Sequence, residues 1–128
     1  MSSLHKEQNI VLFESSTNLK NIEKFISKND SIIVTFDYKS HEMLTLRKVS
    51  HEVSDSFLDE KDIHLLQKEA YRLTKWFDTK ISDSITYENI NLGELFYIDL
   101  YFILLPAMKK FFEIIQINKK YPNANFFA

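Results

Sequence analysis

Side chains that could do chemistry gather at two places in this 128-residue chain. Glu14, Ser15, Ser16 and Thr17 follow the apolar run Ile10-Val11-Leu12-Phe13, and Asp37-Tyr38-Lys39-Ser40-His41 follows Ile32-Ile33-Val34-Thr35-Phe36. Both read as polar segments just beyond buried strands. In open α/β sheets, ligands bind outside the carboxyl ends of the strands, where the strand order switches. Hydroxyls and backbone amides at the first segment, with the Asp37 carboxylate and His41 imidazole at the second, would hold an anionic or sugar group. Ser54 and Asp55, after a weaker third strand, would join the same edge. Asp37 lies about 20 residues beyond the first turn, where dinucleotide folds place a ribose-binding acid. The only glycine is Gly93, however, and without a glycine fingerprint a dinucleotide site is disfavoured. The competing reading is structural: Ser16, Thr17 and Asn18 cap a helix and Asp37 ends a strand.

Other chemistry-bearing residues lead less far. His41-Glu42 and His51-Glu52 each resemble the opening of a zinc-protease helix motif. The positions four residues after each histidine are Thr45 and Asp55, so the second ligand is missing and both histidines read as surface residues. His64 stands between Ile63 and Leu65, at the rim of a core. Cysteine is absent, which removes disulfides, thiolate nucleophiles and cysteine zinc sites together. Asp99 is the single charge between Leu95 and Met108. A carboxylate buried among apolar neighbours must be paired, hydrogen-bonded or protonated, with a backbone amide or Lys109 as the expected partner and a functional role as the alternative. Tyr97 and Tyr101 on either side read as packing residues. No catalytic residue and no metal site can be named.

The elements that must position these residues are legible from apolar spacing. The two apolar runs are continuous, as strands covered on both faces are. Between them Leu19, Ile22, Phe25 and Ile26 fall at helical spacing, with Thr17 or Asn18 as cap and Lys28 and Asn29 at the end. Ser40 is expected to cap a short helix presenting Met43, Leu44 and Arg47 or Lys48 to solvent. A third strand is expected near residues 50–54. Ile63, Leu66, Ala70, Leu73 and Phe77 form a helical stripe, with Asp59 as N-cap and Leu58 and Ile63 as a hydrophobic staple. Residues 81–88 read as a polar connection, with a brief extended piece at Ile85-Thr86-Tyr87. A long apolar helix starts near Asn91 or Leu92, with a kink or break at Pro106, and a last strand covers residues 123–128.

This succession predicts an α/β domain, a Rossmann-like half with a mostly parallel sheet of about four strands in the order 3-2-1-4 and helices on both faces. At this length it reads as one domain, 1–128. With a strand at its end, it is expected to be a fragment of a two-domain protein. The uninterrupted apolar run of residues 95–108 is shorter than the roughly 18–20 residues that cross a bilayer, so it reads as a buried core helix. A net charge of −2 gives no basic face for nucleic acid. The N-terminal residues lack the apolar stretch of a secretory signal. The expected setting is cytoplasmic, the inner face of the membrane included.

Three segments also carry a family resemblance: Phe-Asp-Tyr-Lys-Ser-His-Glu (36–42), Val-Ser-Asp-Ser-Phe-Leu (53–58) and Tyr-Glu-Asn-Ile-Asn-Leu-Gly-Glu-Leu (87–95). They resemble the N-terminal region of prokaryotic surface-polysaccharide glycosyltransferases of the two-domain GT-B architecture. In those proteins a strand-end acidic stretch precedes a short helix, and an aromatic segment introduces a long apolar helix with an internal proline. The resemblance implies an acceptor-side domain that touches sugar through Glu14, Ser15, Ser16, Asp37 or His41. It also implies inactivity without a C-terminal domain that holds the nucleotide sugar as co-substrate; no cofactor is implied for this domain, and no catalytic base carries over. The alternative is a non-enzymatic α/β interaction module whose apolar surface recruits a partner domain or forms a homodimer. A third reading is a membrane-surface protein using residues 102–112.

Overall fold

The computed structural model describes residues 7–27, 30–78 and 85–128. The order of elements is β1 (Asn9–Phe13), α1 (Leu19–Ile26), β2 (Ser31–Thr35), α2 (Tyr38–Leu46), β3 (Glu52–Val53), α3 (Glu60–Thr74), β4 (Thr86–Tyr87), β5 (Ile90–Asn91), α4 (Leu92–Lys120) and β6 (Asn125–Phe127). The chain divides into two compact units, Met1–Phe57 with Glu113–Ala128, and Leu58–Phe112.

The first unit is α/β, built on a parallel four-stranded sheet in the order β3-β2-β1-β6. This is the 3-2-1 arrangement with the C-terminal strand beside β1. That strand counts as sixth because the antiparallel pair β4–β5 intervenes in sequence. Side chains alternate across a strand, and here both sets are buried. Val11, Phe13 and Ile33 face Ile22 and Phe25 of α1 and Leu44 of α2. Ile10 and Val34 face Ile117 near the end of α4, with Leu12, Ile32 and Tyr121 packed around them. Helices therefore cover both faces, which is why β1 and β2 read as unbroken apolar runs. The register puts Phe127 opposite Val11, on the α1 face, where its ring lies 4.8 Å from that of Phe25.

Local chemistry sets the helix starts. Asn18 caps α1 by accepting from the Lys20 amide. Asp37, not Ser40, caps α2; Ser40 is fully buried one turn in, and its hydroxyl donates to the Asp37 carbonyl. Leu44, expected toward solvent, is fully buried, because α2 turns that side onto the sheet. Asp59 and Asp62 form a reciprocal capping box on α3. Lys28 and Asn29, expected to end α1, lie outside the described residues, as do positions 81–84 of the polar connection.

In the second unit, Leu66 and Ala70 of α3 and the following Phe77 are buried, whereas Ile63 and Leu73 of the expected stripe are each 41% exposed. His64, expected at a core rim, is exposed, within 4.0 Å of Glu60. The Lys75 ammonium lies 3.7 Å from the ring centroid of Tyr97 and also over Tyr71 and Phe77, a cation–π contact joining α3 to α4. Asn91 accepts from the Gly93 and Glu94 amides and so starts α4. The helix continues through Pro106 rather than breaking. Phe102 and Pro106 lie on its exposed side, where water can take the carbonyl bond that proline cannot donate. Asp99 is exposed too, so solvent replaces the buried partner its apolar neighbours called for.

Gly93 is required by packing rather than by backbone conformation. A Cβ placed there would overlap the Phe77 ring, with even the Phe77 Cβ only 2.6 Å away, and Phe77 is 1% exposed. Gly93→Ala gains about 1 kcal/mol of helix propensity but forces a crowded core apart, at about 1–3 kcal/mol. The expected outcome is net destabilisation in urea unfolding; a variant as stable as the parent would show that Phe77 yields freely.

Candidate functional site

The strand order reverses between β1 and β6, so the carboxyl edge at β1 is the place where an open α/β sheet presents a crevice. Residues 14–17 form a tight turn there, with the Thr17 amide donating to the Glu14 carbonyl at 2.9 Å and the Glu14 amide to Thr17 Oγ1 at 3.4 Å. The neighbouring loop after β2 is tied to this turn by one side chain. Asp37 Oδ2 accepts from the Ser15 amide at 2.9 Å and from the Ser15 hydroxyl at 2.7 Å, while Oδ1 accepts from the Ser40 amide at 2.7 Å. Burial acts to raise the Asp37 carboxyl, but the hydrogen bonds from Ser15 and Ser40 outweigh it and hold the group well below the usual carboxylate range. The carboxylate therefore stays charged and locks the β1 and β2 loops side by side.

This geometry defines what the edge can bind. The amides of Ser15, Thr17, Lys20 and Asn21 are all consumed internally, so the turn is not a ring of free N–H groups like those that cradle phosphates. What faces outward are side chains. Ser15 and Ser16 are exposed, Glu14 and Thr17 half-buried, and Tyr38, directly after Asp37, is 77% exposed. An aromatic ring beside hydroxyls and a carboxylate suits a polyhydroxylated ligand, with the ring offering an apolar face and the polar groups exchanging hydrogen bonds.

His41 does not join Ser15 and Asp37. Its ring is engaged by His51, the residue before β3, with Nδ1 2.8 Å from His51 Nε2 and the rings inclined at 63°. His51 Nδ1 lies 2.7 Å from the Val49 carbonyl. A carbonyl only accepts, so His51 Nδ1 carries a proton; neutral His51 then presents a lone pair at Nε2, and His41 Nδ1–H is the donor. The pair links α2 to the start of β3. With both rings protonated, two N–H donors would face each other and the bond would be lost.

Of the residues marked from sequence, the fold brings Glu14, Ser15, Ser16 and Asp37 together and sets His41 in a separate pair. Reading from sequence did not anticipate Tyr38 as the exposed aromatic or His51 as a partner. The first had a signal, an aromatic beside a strand-end acid. The second had none, because positions ten residues apart are joined only by the α2-to-β3 return. Among the described residues no group of three or more His, Cys, Asp or Glu could hold a metal ion, and no helix is long and apolar enough to cross a membrane.

Comparison of the chain with protein-family models, with curated proteins and with solved structures returns no match.

Two outcomes follow from the edge geometry. Asp37→Ala removes the α2 cap and the Ser15 tether together, and should cost about 1–2 kcal/mol at neutral pH. Because the folded-state carboxyl is depressed, its stabilisation is complete above its unfolded value of about 3.9 and is lost as pH falls below that. The stability gap between parent and variant, measured by urea unfolding, should therefore narrow from pH 7 toward strongly acid conditions; a gap constant across that range would refute the charged clamp. For the histidines, long-range 1H–15N correlation spectra at mildly alkaline pH should show both rings protonated at Nδ1. An Nε2–H tautomer at His51 would contradict the pair.

Proposed function

We propose that the first unit is the acceptor-side half of a two-domain glycosyltransferase of surface-carbohydrate assembly, working in the cytoplasm or at the inner face of the membrane. In this reading a second domain holds the nucleotide sugar, and the chain transfers no glycosyl group alone. The observation that carries it is the pairing of the β1 and β2 loops by Asp37 at the point where the strand order reverses. The strand-end acid and following short helix at residues 36–42, with the long proline-containing α4, are the features that resemble such enzymes.

Roles follow from which groups are already engaged. Asp37 is a positioning residue, since its oxygens are taken by Ser15 and Ser40. Ser16 exchanges hydrogen bonds with sugar hydroxyls, Glu14 and Thr17 border it on the same turn, and Tyr38 stacks against a pyranose face. Ser15 Oγ donates to Asp37 and keeps its lone pairs for a ligand hydroxyl. His41, held by His51, borders the edge through α2. A phosphate-bearing donor is the poorer fit here, because the amides of Ser15, Thr17, Lys20 and Asn21 are engaged.

The test is an NMR titration with neutral oligosaccharides and, separately, with UDP- and GDP-sugars. Saccharides should shift the amides of Ser15, Ser16, Tyr38 and His41, with Tyr38→Ala weakening binding about tenfold, the value of one stacking contact. Nucleotide sugars should bind this chain no better than the matching free sugar. Saccharides that leave the strand-end amides unmoved, or nucleotide sugars that bind there preferentially, would overturn the reading.

A further inference from the structure

The sheet of the first unit is open along the amino half of β2. The Asn9 amide donates to the Asp30 carbonyl and the Phe36 amide to the Phe13 carbonyl, so the even-numbered backbone groups here face β1 and the odd-numbered ones face β3. β3 pairs only at Val34 and Thr35. The Ser31 N–H and C=O and the Ile33 N–H therefore have no described strand beside them. The chain from Arg47 to His51 stands off from this edge instead of extending the ladder. Between the two lies a cleft of about 580 Å³, bordered by Ile26, Ser31, Ile33, Arg47, Lys48 and Glu52 and within the size range of ligand sites. Ser31 Oγ and Glu52 Oε2 are shut off from solvent without a hydrogen-bond partner among the described residues. Neither residue is fully buried, so a change of rotamer brings each atom to the cleft. Arg47 and Lys48 are exposed and form no ion pair among the described residues.

We propose that this cleft binds a short extended peptide with free termini, which adds as a strand to the open edge of β2. Strand addition needs N–H and C=O groups at strand spacing, and Ser31 and Ile33 supply them. The open stretch ends where β3 begins, so it takes about three residues at roughly 3.3 Å each. The charges fix the direction. Glu52, the first residue of β3, stands at the Val34 end of the slot. A peptide antiparallel to β2 brings its α-ammonium there, and this is the donor that Glu52 Oε2 lacks. A parallel crossover returns the chain to the amino end of the sheet, which sets Arg47 and Lys48, just after α2, toward the Ser31 end. The peptide carboxylate falls to them. A parallel peptide would instead bring its carboxylate against Glu52, like charge against like. The cleft lies at the opposite end of β2 from Asp37 and stands apart from the acceptor edge.

An NMR titration with the tripeptide Val-Ala-Val tests this, and it reads a different set of amides from the saccharide titration. The amides of Ser31, Ile33 and Glu52 should shift, and those of Ser31 and Ile33 should become protected from solvent exchange. N-acetylation of the peptide should weaken binding about tenfold, the worth of one charge-assisted hydrogen bond. Glu52→Gln should weaken the free peptide about tenfold and leave the acetylated one unchanged. Ser31→Pro removes an edge donor at the first residue of a strand, where proline is tolerated, and should weaken both forms about fivefold. Acetylation leaves the protein untouched, and urea unfolding checks that both variants fold. Ser31 and Ile33 amides unmoved at millimolar peptide, an acetylated peptide that binds equally well, or free valine that binds as well as the tripeptide would each overturn the proposal. Shifts of the same amides with chain concentration alone would do so too, naming a second copy as the occupant.

Discussion

β1 must be buried on both faces, and the first unit is organised by that requirement. A strand carrying Ile10, Val11, Leu12 and Phe13 in succession cannot turn any side chain to water without exposing apolar surface, at about 25 cal/mol for each Å². One layer of helix is therefore insufficient. α1 and α2 supply the first layer through Ile22, Phe25 and Leu44, and the last turns of α4 supply the second through Ile117. β6 and β2 close the two hydrogen-bonding edges of β1 in parallel register. Parallel strands need crossover connections, so the order β3-β2-β1-β6 and its reversal at β1 follow from the same constraint.

The polar edge depends on that core for its position but on one carboxylate for its shape. Asp37 does three things with two oxygens: it caps α2, holds the Ser15 amide and orients the Ser15 hydroxyl. Glycine usually lets a backbone turn closely at such an edge, and here a charged staple and an ordinary tight turn take its place. The consequence is chemical. The amides of Ser15, Thr17, Lys20 and Asn21 are engaged, and the Ser15 and Ser16 hydroxyls and the Tyr38 ring are exposed. The His41–His51 pair fixes the far side of α2 by a second polar contact.

α4 makes the opposite bargain along its length. Its last turns bury Glu113 and Ile117, while residues 92–110 display an apolar stripe that the described part of the second unit leaves exposed. Near its start, Gly93 lies close under Phe77 and Tyr97 under Lys75, so α3 and α4 meet on one side.

The sequence by itself determined the strand runs, the helical stripes, the parallel α/β class and the strand order, because apolar periodicity reports burial and continuous apolar runs report burial on two faces. It also determined that residues 14–17 and Asp37 share one edge, since both follow strands of the same sheet. Tertiary structure decided the roles. Asp37 and Ser40 differ as cap candidates only by which one the sheet buries, and Leu44 is core only because α2 lies on the sheet with that side down. Asp99 was read as buried because its neighbours in sequence are apolar, yet solvation is set by neighbours in space, and there its side of α4 is open. The His41–His51 bond lay beyond reach for the same reason: hydrogen bonds between distant positions are made by the path of the chain between them, which local pattern does not encode.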